Sequence, residues 1–181
     1  PMVEIWAAKA PRAPRDLILL TGPEPSMRWN TLCESVVDLA EAMNVQMAVS
    51  LGALLADVPH TRPVPMVGVT SDEELAERVG LSPTTYEGPT GITGVLHSAF
   101  QESGIPSASL WASVPHYVAA APNPKASLAL VRKLESLVGV SFDATELERA
   151  ASDYERRVSS AVAGDDDVRQ FVERLEQASD A

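Results

Sequence analysis

The sequence predicts an α/β fold: a mainly parallel sheet flanked by helices, followed by a C-terminal αα-hairpin. Three observations carry this. Short apolar runs alternate with stretches of helical spacing, as βαβ units require. Two of the runs end alike, in Val58-Pro59-His60 and Val114-Pro115-His116. Beyond residue 140 the pattern becomes purely helical and strongly charged. We therefore assign residues 1–140 to an α/β domain and 141–181 to a helical hairpin.

In chain order, Val3 to Trp6 alternates like a short strand, and Pro11 and Pro14 interrupt it. Asp16 to Thr21 is a nearly unbroken apolar run, expected to be a central strand buried on both faces. Gly22-Pro23-Glu24-Pro25 stops it, since each proline removes a ladder donor. Leu32, Val36, Leu39, Ala40 and Met43 recur at helical spacing, with Thr31 and Glu34 as a capping box and Asn44 as the left-handed close. Val45 to Val49 reads as the next strand, which makes a right-handed crossover to a parallel neighbour.

The stretch Leu51 to Pro63 then turns small, polar and proline-bounded, like the mouth of a site at a strand's carboxyl end. Val64 to Val69 is a further strand, and Ser71 to Glu74 opens a short helix. Tyr86 to Gly94 is too rich in glycine for a regular element and feeds a helix carrying Val95, Leu96, Ala99 and Phe100. Ala108 to Ala112 is the second rim-forming strand. Asn123 and Pro124 form a favoured helix start, and Gly139 ends that helix. Leu147, Ala151, Tyr154 and Val158, then Val168, Phe171, Val172 and Leu175, stripe the two tail helices.

Composition excludes several classes. Apolar residues are 45% of the 181 positions, enough for a sizeable core, and the net charge of −11 argues against a nucleic-acid partner. No apolar run approaches the ~20 residues of a membrane span. The lone Cys33 cannot form an internal disulfide, which fits a cytoplasmic location.

The chemistry-bearing candidates gather past the strand ends. Glu24, Asp57, His60, Glu87 and His116 can converge at one rim, where carboxylates and imidazoles do acid–base work. The plainer reading is that they cap backbone groups in proline-stiffened loops. No metal-ligand spacing is present, and no cofactor is expected. Tyr86 to Gly91 is expected to arch over or beside the two histidines. Thr90-Gly91-Ile92-Thr93-Gly94 precedes a helix, so its amides can cradle an anion, though the stretch is neither Gly-x-Gly-x-x-Gly nor a Walker loop. Trp111 can stack on a ligand or serve as core. Arg62 can grip a carboxylate or phosphate in a fork, but is expected to pair with Asp57 or Glu87. Ser71, Ser82, Thr90 and Ser113 sit in no Gly-x-Ser-x-Gly elbow, which disfavours a serine hydrolase.

Several segments in order carry a family resemblance: Gly22-Pro23-Glu24-Pro25 with Trp29-Asn30, Leu51 to Pro63, Tyr86-Glu87-Gly88-Pro89-Thr90-Gly91-Ile92, Ser109-Leu110-Trp111-Ala112, Val114-Pro115-His116-Tyr117 and Pro124-Lys125-Ala126. From Asp16 to about Val138 the chain resembles the actinobacterial-type bacterial branch of the proteasome assembly chaperone 2 family. That resemblance implies a nucleoside phosphorylase-like fold and a protein-interaction or assembly-chaperone-like module. It implies homo-oligomers, trimers among them, and adds Lys125 to the candidate rim. It also implies a chain that is the carboxyl-terminal part of a longer protein. The alternative is a small-ligand binder or enzyme, taking a nucleoside or phosphate or doing hydrolytic chemistry at the Val-Pro-His rim.

Overall fold

The computed structural model describes residues 2–11, 13–70, 82–83, 91–118 and 122–180. Its elements are β1 (Glu4–Ala8), β2 (Leu17–Thr21), α1 (Trp29–Ala42), β3 (Ala48–Ala56), β4 (Met66–Thr70), β5 (Ser82–Pro83), α2 (Ile92–Glu102), β6 (Ser107–Pro115), α3 (Pro124–Val138), α4 (Thr145–Ala163) and α5 (Asp166–Ser179). The expected helix at Ser71 and the loop from Tyr86 to Thr90 lie outside the described residues.

The α/β class stands, and the sheet is mixed. Its order is β3-β6-β4-β5. β3 runs parallel to β6 and β4 parallel to β5, while β4 pairs antiparallel with β6. The β3–β6 pairing is continuous over nine residues, from Ala48 opposite Ser107 to Ala56 opposite Pro115.

β6 is the centre of the sheet and of the core. Its residues alternate between two differently packed faces. Ala108, Leu110 and Ala112 face α3, where Leu110 meets Leu137 with Met47, Val49, Met66, Leu130 and Val138 around them. Ser107, Ser109, Trp111 and Ser113 make the other face. There Ser107 Oγ meets His97 Nδ1 of α2 at 3.0 Å, and Ser109 Oγ bonds both Ser50 Oγ and the Trp111 indole N–H. The Trp111 ring lies flat over Gly52 of β3, where an added Cβ would fall 2.6 Å from it. Glycine is required at that position by this close approach.

Two expectations need correction. The run Leu17 to Leu20 is not a central strand. Among the described residues β2 pairs only with β1, in a separate antiparallel ribbon, and Leu19 and Leu20 are exposed. Consequently β2, α1 and β3 make no parallel crossover within one sheet. An apolar run reports that a strand is favoured; its burial depends on which partners cover it.

The second correction concerns boundaries. The strand after α1 begins at Ala48 and continues to Ala56, through residues read as a loop mouth. α1 starts at Trp29 behind a left-handed Arg28 and has no side-chain cap, so Thr31 lies inside it. Its other end follows expectation. Asn44 takes φ 51° and Val45 N–H donates to the Ala40 carbonyl, closing the last turn.

The remaining helix ends are local and legible. Asn123 accepts from the Ala126 N–H at 3.0 Å with Pro124 at the first helical position, and Gly139 ends α3 at φ 69°. Asp143 Oδ1 accepts from the backbone and hydroxyl of Thr145 ahead of α4. The Asp165-Asp166-Asp167 run both separates the tail helices and starts the second. Asp165 accepts from the N–H groups of Asp167 and Val168, and the next two carboxylates sit in the first turn, where the helix dipole favours them.

Candidate functional site

The parallel β3–β6 pair delivers both Val-Pro-His turns to one end of the sheet. Its last rung is followed by a bond from His116 N–H to the Ala56 carbonyl, 3.3 Å. His60 and His116 therefore share an edge, as the repeated strand ending implied.

What covers that edge was not legible. The αα-hairpin folds back onto it. Tyr154 and Val158 of α4 and Val172 of α5 are buried. Phe171 of α5 sets its ring against His116 and Tyr117, with centroids 5.5 and 5.9 Å away and planes at 67° and 82°. These edge-to-face contacts are the favoured aromatic geometry.

His60 is the most deeply placed of the described rim candidates, 4% exposed. The Tyr117 hydroxyl accepts from the His60 backbone N–H at 2.8 Å and lies 2.9 Å from His60 Nδ1. Nε2 faces Ser159 Oγ of α4 at 3.1 Å, so each ring nitrogen has a hydroxyl partner able to donate or to accept. Burial pushes the His60 pKa down, the Lys125 ammonium pushes it further, and Glu155 and Glu176 pull the other way. Burial likewise raises the Tyr117 hydroxyl.

The charged candidates close the seam. Lys125 of α3 donates to the His60 carbonyl and to Glu155 of α4. Arg62 does not pair with Asp57 as expected. Its guanidinium grips Asp180 in a fork, Nε to Oδ1 at 2.7 Å and Nη2 to Oδ2 at 2.6 Å, and lies 3.5 Å from Glu176. The Asp180 carboxyl is held below its ordinary range by that contact. Thr61 also bonds Glu176. Asp57 meets His116 Nδ1 instead, at 2.9 Å on the surface.

Other candidates lie apart from this group. Glu24 Oε1 accepts from the Ile92 N–H at 2.7 Å, so the helix N-terminus beside Gly91 already holds a carboxylate of the chain itself. A Cβ on Gly91 would come 3.0 Å from that oxygen. Trp111 sits mid-strand over Gly52, away from the strand end. Tyr86, Glu87 and Thr90 lie outside the described residues.

The partners that sequence reasoning missed are Ser159, Glu155, Phe171, Glu176 and Asp180. One signal was present: Glu176 of α5 and Asp180, which caps its C-terminus, stand four apart and so fall on one side of the helix.

Chemically, the arrangement fastens more than it reacts. Both ring nitrogens of His60 are engaged, and its bonds span the rim and α4. The cavity left between His60, Lys125, Ser113, Asn123 and Tyr154 measures about 10 Å³. That is room for about one water molecule. Among the described residues no cluster of three metal-ligating side chains occurs, and no helix is long and apolar enough to cross a membrane.

Comparison with known proteins places this architecture. A search of curated proteins found no match. Among solved structures, a proteasome-assembly chaperone homologue from Mycobacterium tuberculosis is 43% identical with a TM-score of 0.86, over 94% of this chain and 72% of that one. A PAC2 family protein from Streptomyces avermitilis is 45% identical with a TM-score of 0.83, over 94% and 71%. An archaeal proteasome activator from Pyrococcus furiosus, 18% identical over 88% and 70%, shares the fold at a TM-score of 0.69. The PAC2 family model matches residues 1–162, and the chain belongs to the PAC2 family.

Proposed function

We propose that this protein is an interaction module of assembly-chaperone character, acting through its surfaces and not through a reaction at the strand-end rim. One observation carries the reading: the rim, where a ligand would enter an open α/β sheet, is filled by the chain's own tail. A cavity of about 10 Å³ does not admit a nucleoside or a phosphate. The likeness to the M. tuberculosis chaperone homologue supports the same reading. A cytoplasmic location, with Cys33 kept as a buried free thiol, goes with it.

The test is a thermal-stability panel of nucleosides, inorganic phosphate and divalent cations. A one-site ligand at about 100 times its Kd adds about 2.7 kcal/mol. The expected result is a flat panel. A nucleoside or phosphate that raises the melting temperature overturns the reading in favour of a ligand-binding rim.

The partner reading includes self-association, with a homo-trimer as the form to test first. The surface favoured for it is the β3 edge and not the tail. Leu51 and Leu55 are exposed there, and no charged residue occurs from Val45 to Ala56. A neutral apolar edge can meet another copy without the like-charge repulsion that tails rich in Asp and Glu would impose. Light scattering over a wide concentration range is expected to show a mass above the monomer, persisting when Leu55→Lys is absent and lost when it is present. A monomeric mass throughout defeats this.

A further inference from the structure

We propose that the C-terminal hairpin is a proton-released clasp: protonation of His60 loosens α4 and α5 from the strand-end rim while the sheet stays folded. The geometry carries this. His60 is buried at the seam, and its two ring nitrogens face opposite sides of it, Nδ1 toward the Tyr117 hydroxyl of the rim and Nε2 toward Ser159 of the tail. The Tyr117 oxygen already accepts from the His60 N–H. That oxygen keeps a second lone pair, so a proton on Nδ1 is accepted there and no hydrogen bond is lost. What the charged ring lacks is solvent: it would sit 4% exposed, next to the Lys125 ammonium that holds the His60 carbonyl, and release returns it to water.

The charged groups around the ring set the balance. From α3 comes Lys125, whose ammonium donates to the His60 carbonyl and opposes a second cation. From α4 comes Glu155, which Lys125 already engages, and from α5 comes Glu176, which Thr61 and Arg62 already engage. Asp180 is held by Arg62. Tyr117 and Tyr154 are the remaining titratable neighbours, and burial keeps both hydroxyls protonated.

The direction of the pH effect follows. Released, the imidazole titrates near its ordinary value of about 6.5. Docked, it resists protonation to lower pH, with burial as the first cause. Between those two values the released form binds the extra proton, so acid favours release. The contribution of His60 to docking is complete above about pH 6.5 and disappears as pH falls through the docked value.

Two other histidines must be separated from this effect. His116 also touches the tail, through Phe171. His97 bonds Ser107 on β6, and no described contact joins it to either tail helix. Hydrogen exchange of the full chain at pH 7.5 and 5.5, corrected for intrinsic rates, separates them. The expected result is a loss of protection in α4 and α5 of about fivefold or more at the lower pH. His60→Gln, which keeps an amide donor and acceptor but cannot titrate, should abolish that loss, and His116→Gln should leave it. Unchanged tail protection in the parent, or a His60→Gln variant that loosens as the parent does, overturns the proposal. If His60→Gln fails to dock the tail at pH 7.5, the parent chain decides by NMR. The His60 ring titration must then coincide with the loss of tail protection. A ring that stays neutral while the tail loosens, or that titrates without loosening it, is equally fatal.

Discussion

Leu110→Ala is expected to cost about 3 kcal/mol, a large share of the ~5–15 kcal/mol of a typical domain. Leu110 has no exposure, and it lies on the only described strand with long neighbours on both sides. With Ala108, and with Leu137 of α3, it forms the buried cluster against which Met47 and Val49 from the β3 side and Met66 from β4 pack. The surroundings come from α3 and from two strands fixed by backbone pairing to β6, so they collapse only partly around a truncated side chain, and the cavity term adds to the lost transfer energy. The comparison is Leu51→Ala, one register position across on β3. Leu51 is 44% exposed, so the same chemical change there should cost under about 1 kcal/mol. Urea unfolding of both variants checks the contrast. Equal shifts in midpoint would mean that the core is not centred on β6.

Tyr154→Ala is expected to separate the tail from the body. Tyr154 is 4% exposed and is the largest side chain that α4 buries against the rim, with Val158 one turn on. Truncating a buried aromatic costs about 3–5 kcal/mol. Here that loss falls on a hairpin whose other fastenings are Phe171 against His116 and Tyr117, the buried Val158 and Val172, and polar contacts that include the Arg62 fork, the Lys125–Glu155 pair and the His60–Ser159 bond. Pairs exposed as far as Arg62 and Asp180 contribute little on their own in water. The expected outcome is early proteolytic cleavage between Gly139 and Thr145, with β3 and β6 still protected. Tyr154→Phe is the control. Its hydroxyl has no described partner in the protein, so its removal should change stability by less than about 1 kcal/mol. Loss of the whole fold in Tyr154→Ala would show that tail and sheet unfold as one unit. The reading of the hairpin as a clasp would then fail with it.

Local chemistry was enough for much of this protein. Asn123 followed by Pro124, Gly139 at φ 69°, Asn44 at φ 51° and the prolines after Thr21 mark element ends through constraints within a few residues. Sequence alone therefore located the helices after residue 91 and the tail hairpin with its apolar stripe. The repeated Val-Pro-His sequence also pointed to two strand ends at one edge, though the motifs are out of register there: Val114 and Pro115 pair with Leu55 and Ala56, and Val58 and Pro59 lie past the end of β3. What it left open was every decision about partners. Leu17 to Leu20 reads identically whether the strand is sandwiched or left in a two-stranded ribbon, since periodicity records strand character and not what covers the strand. Val45 to Ala56 contains no proline or charge to mark where pairing begins, so the ladder with β6 alone set β3 at Ala48. Arg62 could be read as an anion-binding group or as a partner of Asp57 or Glu87. Its fork closes on Asp180, 118 residues away in sequence. A guanidinium specifies a carboxylate but not which one. Only the docking of α5 on the rim brought that carboxylate within reach, and the same step turned a candidate ligand mouth into the seat of the chain's own tail.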